Sequence, residues 1–234
     1  MNTIPTSFDL HQINRTVIGG RENKSPDALN ISVILLNSSG SQFKTNLFEN
    51  LLACNFHSIV SIVNNAETFS TEDVSKKFPS IKFIIPLEKT TDGDLINLAM
   101  SEIDSDYVLV LRDSIYIPSG LITPILAERL TQEKIFCVVP RLLDKNKNGL
   151  STRFNPSAEK SHFLIESSFV VTENVKTVYP LDNIAIYNRK KFIKLGGFDS
   201  TIQSSYWQTL DFAVRSWLFG EKTKLTTSLQ LTYI

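Results

Sequence analysis

The chain of 234 residues carries 24 Lys and Arg against 24 Asp and Glu, a formal net charge of zero, with 42% hydrophobic residues. That length buries a full core as one α/β domain, and the balanced charge excludes the basic excess a general nucleic-acid or anionic-membrane binder works with. Cys54 and Cys137 lie in apolar surroundings and His11, His57 and His162 are scattered, so no zinc spacing exists and the thiols read as buried and reduced, in a cytoplasmic protein. No apolar stretch is long enough to span a bilayer, and the N-terminus lacks a signal-peptide core.

Residues 1–29 are polar, with Gly19-Gly20 and Pro26 and no sustained period, and read as an N-terminal arm or linker; residues 30–234 read as the domain. Ile31–Leu36 is a buried strand that ends in the polar run Asn37-Ser38-Ser39-Gly40. Leu47, Phe48, Leu51 and Leu52 then recur at helical spacing, and His57–Val63 is a second strand closing on Asn64-Asn65. Ser70 to Asp73 opens a short helix with early acids, Ile81–Ile85 is a third strand, and Leu95, Ile96, Ala99 and Ile103 form the apolar face of another helix. The next strand, Tyr107–Leu111, is apolar without a break and stops on Arg112, Asp113 and Ser114.

Strand and helix repeated in this way predict a parallel sheet with helices on both faces and right-handed crossovers. Thr123-Pro124 predicts a capped helix start, Phe136–Val139 a further strand, and Lys145–Gly149 a turn within a stretch, 141–178, of short strands and loop. Asn183–Tyr187 reads as a strand, Lys190–Leu195 as a short helix and Gly196–Asp199 as a turn. Ser205 and Gln208 read as a capping box, Leu210, Ala213, Val214, Trp217 and Leu218 as one helical stripe, and Gly220 as its end. The final residues, Leu229–Ile234, stop inside an apparent strand, so a C-terminally truncated domain is expected. In open α/β sheets ligands bind beyond the carboxyl ends of the strands, which puts Arg112, Asp113 and Ser114 where a site belongs.

Together these pieces resemble the family 2 glycosyltransferases, GT-A-fold enzymes that move a sugar from a nucleotide-sugar donor to an acceptor. The resemblance covers roughly residues 31–225 and rests on Ile31–Leu36, Ile59–Asn65, Gly93 and Asn97, Asp106–Ser114, Gly196-Gly-Phe-Asp199 and Gln208–Arg215, in the family's order. It implies a single GT-A-like domain, Rossmann-like, with a mostly parallel sheet sandwiched by helices. It also implies a UDP- or GDP-linked sugar donor and a glycan acceptor. The departures fall on the chemistry. Asn64 stands where the family has a base-binding aspartate, Arg112 and Ser114 stand where two acids hold a metal, and Gln208-Thr209 stand where an acidic pair supplies the general base.

Arginine suits bidentate phosphate recognition, so Arg112, with Asp113, Ser114, Asn37, Ser38 and Asn64, forms the candidate nucleotide and diphosphate site. Arg112 can instead plug an empty metal site while paired with Asp113 or another acid. A hard divalent ion wants oxygen ligands and no adjacent cation, so no Mn2+ or Mg2+ site is expected, with Asp113 the one remaining acid of the motif. On the acceptor side the candidates are Asp211, four residues from Arg215 at ordinary ion-pair spacing, and Gln208, which otherwise caps the helix. Asp182 and Asn183 read as an acceptor-side pair or a turn, and Tyr206 and Trp207 as groove or core aromatics. Two functions follow: a transferase with Arg112 on the diphosphate, or a catalytically inactive pseudo-glycosyltransferase that serves a larger protein as a binding, interaction or scaffold domain with a protein partner. A dinucleotide binder is disfavoured, because no Gly-X-Gly-X-X-Gly follows any strand.

Overall fold

The structure is a computed structural model that describes residues 13–20, 28–37, 45–63, 71–160 and 162–234. Among these the chain runs β1 (Arg15–Gly19), β2 (Ile31–Asn37), α1 (Thr45–Ala53), β3 (Ile59–Val63), α2 (Thr71–Lys77), β4 (Ile81–Pro86), α3 (Asp92–Ser101), β5 (Tyr107–Arg112) and β6 (Ile115–Tyr116). It continues through α4 (Pro124–Thr131), β7 (Cys137–Leu143), β8 (Arg153–Glu159), β9 (His162–Ser168), a 3-10 turn at Leu181–Asn183, β10 (Ala185–Asn188), α5 (Arg189–Lys194), α6 (Ser205–Leu218) and β11 (Thr223–Tyr233).

Nine of the strands form one sheet in the order β1-β4-β3-β2-β5-β10-β7-β11-β6. Its centre, β4-β3-β2-β5, is parallel, and β10 enters antiparallel between β5 and β7. Successive side chains of a strand point to opposite faces. On β2, Ile31, Val33 and Leu35 pack with Leu47, Phe48 and Leu51 of α1, while Ile34 and Leu36 pack with Leu95, Ile96 and Ala99 of α3. β5 divides the same way, Leu109 and Leu111 to the first core and Val108 and Val110 to the second. Both faces of the sheet are covered, which is why these strands are written as unbroken apolar runs. Helix α4 starts as its sequence predicts, with the Thr123 hydroxyl accepting from Leu126 N at 3.3 Å.

The expectation for the N-terminal arm changes. The arm expected over residues 1–29 does not extend to Arg15–Gly19, which pairs antiparallel with β4 as an edge strand. Only Ile18 of that strand packs on the core, so no apolar period marks it. Gly19 closes it at φ +77°, where an added Cβ would collide with the Ile81 carbonyl oxygen. The stretch 141–178 contains a two-stranded hairpin, β8–β9, apart from the main sheet. Its Phe154 and Ile165 lean on Leu210 and Ala213 of α6, and the rest of its side chains are largely exposed.

Edge strand β1 is also held by charge. Arg15 Nη2 meets Glu102 Oε1 at 2.6 Å, and Lys82 Nζ of β4 meets Glu102 Oε2 at 3.3 Å. Burial raises the Glu102 pKa, but Arg15 and Lys82 more than offset this and hold it below the ordinary glutamate value. A depressed carboxylate contributes stability that is present above its unfolded pKa and lost as pH falls through the folded one. We therefore expect Glu102→Gln to lower stability by about 1 kcal/mol at neutral pH. The variant and the parent should converge in acid, as read by urea unfolding at a series of pH values; a difference that persists in acid would contradict this account.

Candidate functional site

β5 ends on Arg112, and Asp113 N bonds the Leu36 carbonyl at 3.1 Å, keeping the ends of β2 and β5 level. The partner of the guanidinium is not the neighbouring Asp113. Its Nη2 is ion-paired with Asp92, the first residue of α3, and its Nε donates to the Asp182 carbonyl at 3.2 Å. Tyr233 of β11 then donates its hydroxyl to Asp182 Oδ2 at 2.7 Å. Burial works against the charged guanidinium, yet Asp92, with Asp182 and Tyr233, more than compensates and raises the Arg112 pKa. The Tyr233 hydroxyl is pushed up as well, by burial first and then by Asp182. Asp182 and Asn183 both lie in the left-handed region, at φ 53° and 61°, a costly conformation for residues with a Cβ. The turn they form brings the Asp182 carbonyl to Arg112.

Asp113 itself is buried. The Ser114 carbonyl accepts from Ile234 N at 2.9 Å, so the last strand closes beside the site. Asn37 is committed elsewhere: its Nδ2 donates to Ser61 Oγ at 2.8 Å and to the Ile62 carbonyl at 2.7 Å, tying β2 to β3. Ser38 and Asn64 lie outside the described residues. The structure thus gathers Asn37, Arg112, Asp113 and Ser114 at one end of the sheet, with a cation whose charge is already answered. A divalent ion does not fit this set, because Arg112 brings a positive charge and Ser114 only a hydroxyl where oxygen anions are needed. Among the described residues no three of His, Cys, Asp and Glu are grouped to hold a metal.

Gln208 corrects the expectation of a capping box. The N-cap of α6 is Ser204, no side chain caps it, and Gln208 is fully buried. Its Nε2 donates to Asp94 Oδ1 at 3.2 Å and to the Asp199 carbonyl at 2.9 Å, and its Oε1 accepts from Thr91 Oγ1 at 2.8 Å. Thr91 and Asp94 form the capping box of α3. Gly93 makes room for this junction, since a Cβ there would collide with Gln208 Oε1 and lie 2.8 Å from Phe198 Cβ.

Asp211 is ion-paired, as its spacing to Arg215 predicts. It holds Arg215 with two contacts, at 2.8 and 2.6 Å. Arg215 in turn donates to the carbonyls of Leu195 and Gly197, each at 2.7 Å. Asn97 bonds Phe198 in both directions, Nδ2 to its carbonyl at 2.8 Å and Oδ1 from its amide at 2.9 Å. The turn Gly196–Asp199 is therefore held by α3 on one side and α6 on the other, and Phe198 packs on Phe212 with ring centroids 4.8 Å apart.

Sequence reasoning missed Asp92, Asp94, Thr91 and Tyr233. The Thr91-X-X-Asp94 spacing is a local capping signal that was available to be read. Nothing local marks Asp92 or Tyr233 as partners of the Arg112 site. We expect Gln208→Glu to lower stability by about 2–3 kcal/mol at neutral pH, because a carboxylate has no proton to give Asp94 or the Asp199 carbonyl. The folded pKa of the introduced carboxyl would be raised, so the loss should grow with rising pH and shrink in mild acid, where that carboxyl is protonated. Urea midpoints unchanged at neutral pH would contradict the buried network.

No protein-family model matches the sequence, and no curated protein does. Solved structures do match in shape. GalNAc-T7, crystallised with UDP, GalNAc and Mn2+, superposes with a TM-score of 0.66 over 93% of this chain and 47% of its own, at 12% identity. TarS of S. aureus gives 0.61 over 87% of this chain and 36% of its own at 15% identity, and its fragment 1–349 gives 0.61 over 87% and 60% at 16%. The chain thus spans less than two thirds of each. With the parallel centre, the antiparallel β10 and helices on both faces, these likenesses identify the fold as GT-A-like.

Proposed function

We propose that this chain is a glycosyltransferase-like domain that does not carry out metal-dependent sugar transfer and serves a larger protein as a binding or scaffold domain. The observation that carries this reading is the Arg112–Asp92 pair: the cation at the end of β5 is paired within the protein itself, with the Asp182 carbonyl accepting from its Nε and Tyr233 bonding the Asp182 carboxylate. Gln208 and Asp211 support it, because the first is sealed between two helices and the second is spent on Arg215. An inverting transfer requires a base within reach of the acceptor hydroxyl; the Gln208 amide is not a base, and Asp211 is ion-paired with Arg215 through Oδ2.

A second reading is favoured by one observation. The Arg112 side chain keeps 22% of its surface exposed at the carboxyl end of β5, the place where open α/β sheets bind ligands. In that reading Arg112 exchanges Asp92 for the diphosphate of a UDP- or GDP-linked sugar, without Mn2+ or Mg2+, and a glycan is the acceptor.

Calorimetric titration of UDP and GDP, with and without Mn2+, separates the two. The scaffold reading expects no binding at millimolar nucleotide. It also expects Arg112→Ala to cost about 1–2 kcal/mol of stability and nothing else, since Asp92 is left partly solvated. Metal-independent binding that disappears in Arg112→Ala would overturn it in favour of the transferase. Binding that required Mn2+ would overturn both and move attention to Asp113.

A further inference from the structure

The β8–β9 hairpin stands apart from the nine-stranded sheet, so each of its strands has an outer edge. The edge of β8 is closed. Phe154 N donates to Thr177 Oγ1 at 2.9 Å, and the Phe154 carbonyl accepts from Val178 N at 2.9 Å. Both groups therefore point away from β9, which makes Phe154 and Ser167 a pair with no hydrogen bonds between them. Such pairs alternate along an antiparallel ladder, so Pro156 with Ile165 and Ala158 with Phe163 are of the same kind. Pro156 fits this place, because its missing N–H is lost to the outer edge and not to the ladder.

On β9 the same alternation turns the N–H and C=O groups of Phe163, Ile165 and Ser167 outward. Among the described residues no backbone hydrogen bond reaches them. This strand has no proline and no lysine, two devices that keep a free edge from pairing. Its Phe163 and Leu164 are 59% and 39% exposed. Any extended strand can bond an open edge, and the side chains decide which one fits. With a second copy of β9, outward groups meet outward groups when a two-fold axis passes near the middle of the strand, at Leu164, Ile165 or Glu166. At Glu166 the two carboxylates would oppose each other, and at Ile165 each Leu164 would oppose a Glu166. At Leu164 every pair matches: His162 opposes Glu166, Phe163 opposes Ile165, and the two Leu164 side chains meet on the axis. Apolar and donor–acceptor pairs placed opposite each other stabilise a sheet, and like charges destabilise it. His162 has an N–H to donate in either protonation state, and neither it nor Glu166 has an ion-pair partner among the described residues. The run His162-Phe-Leu-Ile-Glu166 is thus complementary to itself when reversed, which an isologous contact requires.

We propose that β9 pairs antiparallel with β9 of a second copy of this chain, about a two-fold axis at Leu164, and so joins two hairpins into a four-stranded sheet. One face of that sheet carries the His162–Glu166 pairs and the Leu164 contact. On the other, where Ile165 leans on α6, Phe163 of the second copy covers Ile165. A pairing over residues 162–166 is short for an interface, so the dimer forms with rising concentration and is not permanent. It is independent of what happens at Arg112.

The test is sedimentation velocity of the full chain from micromolar to sub-millimolar concentration. The expected result is a monomer–dimer equilibrium. Leu164→Lys sets two lysines on the axis, and His162→Glu sets glutamate opposite glutamate twice; each should weaken the dimer about tenfold. Adding Glu166→Lys to His162→Glu should restore it, because opposite charges then face each other again. All these positions are exposed, and circular dichroism should show the variants folded. A monomer at every concentration overturns the proposal and leaves the edge to a strand of a different protein. A dimer that neither Leu164→Lys nor His162→Glu weakens overturns it by placing the contact elsewhere. Failure of the double variant to restore the dimer overturns the two-fold at Leu164.

Discussion

An apolar strand bonded along both edges and covered on both faces can present a polar side chain only where it ends. β5 is such a strand, between β2 and β10, with Val108, Leu109, Val110 and Leu111 divided between two cores. Burial of those side chains, each worth about 1.5–3 kcal/mol, fixes the register of the whole sheet, because a slip of one residue would send every side chain to the wrong face. The position of Arg112 is thus decided by hydrophobic packing and not by the ligand chemistry around it. Everything polar at this end of the sheet has had to arrange itself about a guanidinium that cannot move away.

The polar residues sort by what they touch. Asn97, Asp211 and Arg215 grip the turn Gly196–Asp199, and Gly93 makes room for Gln208 against α3, so these positions serve the joint between two helices. Of the described residues at positions that the family resemblance links to chemistry, Gln208 is bound up in the same joint and Arg112 is held by Asp92 and the Asp182 carbonyl. A glutamine can bridge Asp94, Asp199 and Thr91 because its amide both donates and accepts. The geometry is a coherent packing solution for the joint between α3 and α6.

Much of this was legible in the sequence because it is local. The strands around Tyr107–Leu111 and the Thr123-Pro124 helix start are written in periods and caps that act over a few residues. What escaped was tertiary. Ser205 and Gln208 have the spacing of a capping box, but the buried amides and hydroxyls of α3 compete for Gln208 and win. β1 has almost no buried side, and the hairpin β8–β9 packs through few residues, so neither leaves a hydrophobic period to detect. The partner of Arg112 was open to a choice of acids, and only the approach of the α3 N-terminus selects Asp92 over its sequence neighbour Asp113.

The left-handed pair Asp182–Asn183 has a kinetic consequence. By delivering a carbonyl to one side of Arg112 while Asp92 takes the other, it leaves a dipole where an isolated cation would otherwise project a field into solvent. Electrostatic steering depends on such unbalanced fields, and it weakens as ionic strength rises. Two carboxylates, those of Asp92 and Asp182, stand against the one guanidinium, so this cluster exerts no attractive pull on an approaching anion at any ionic strength.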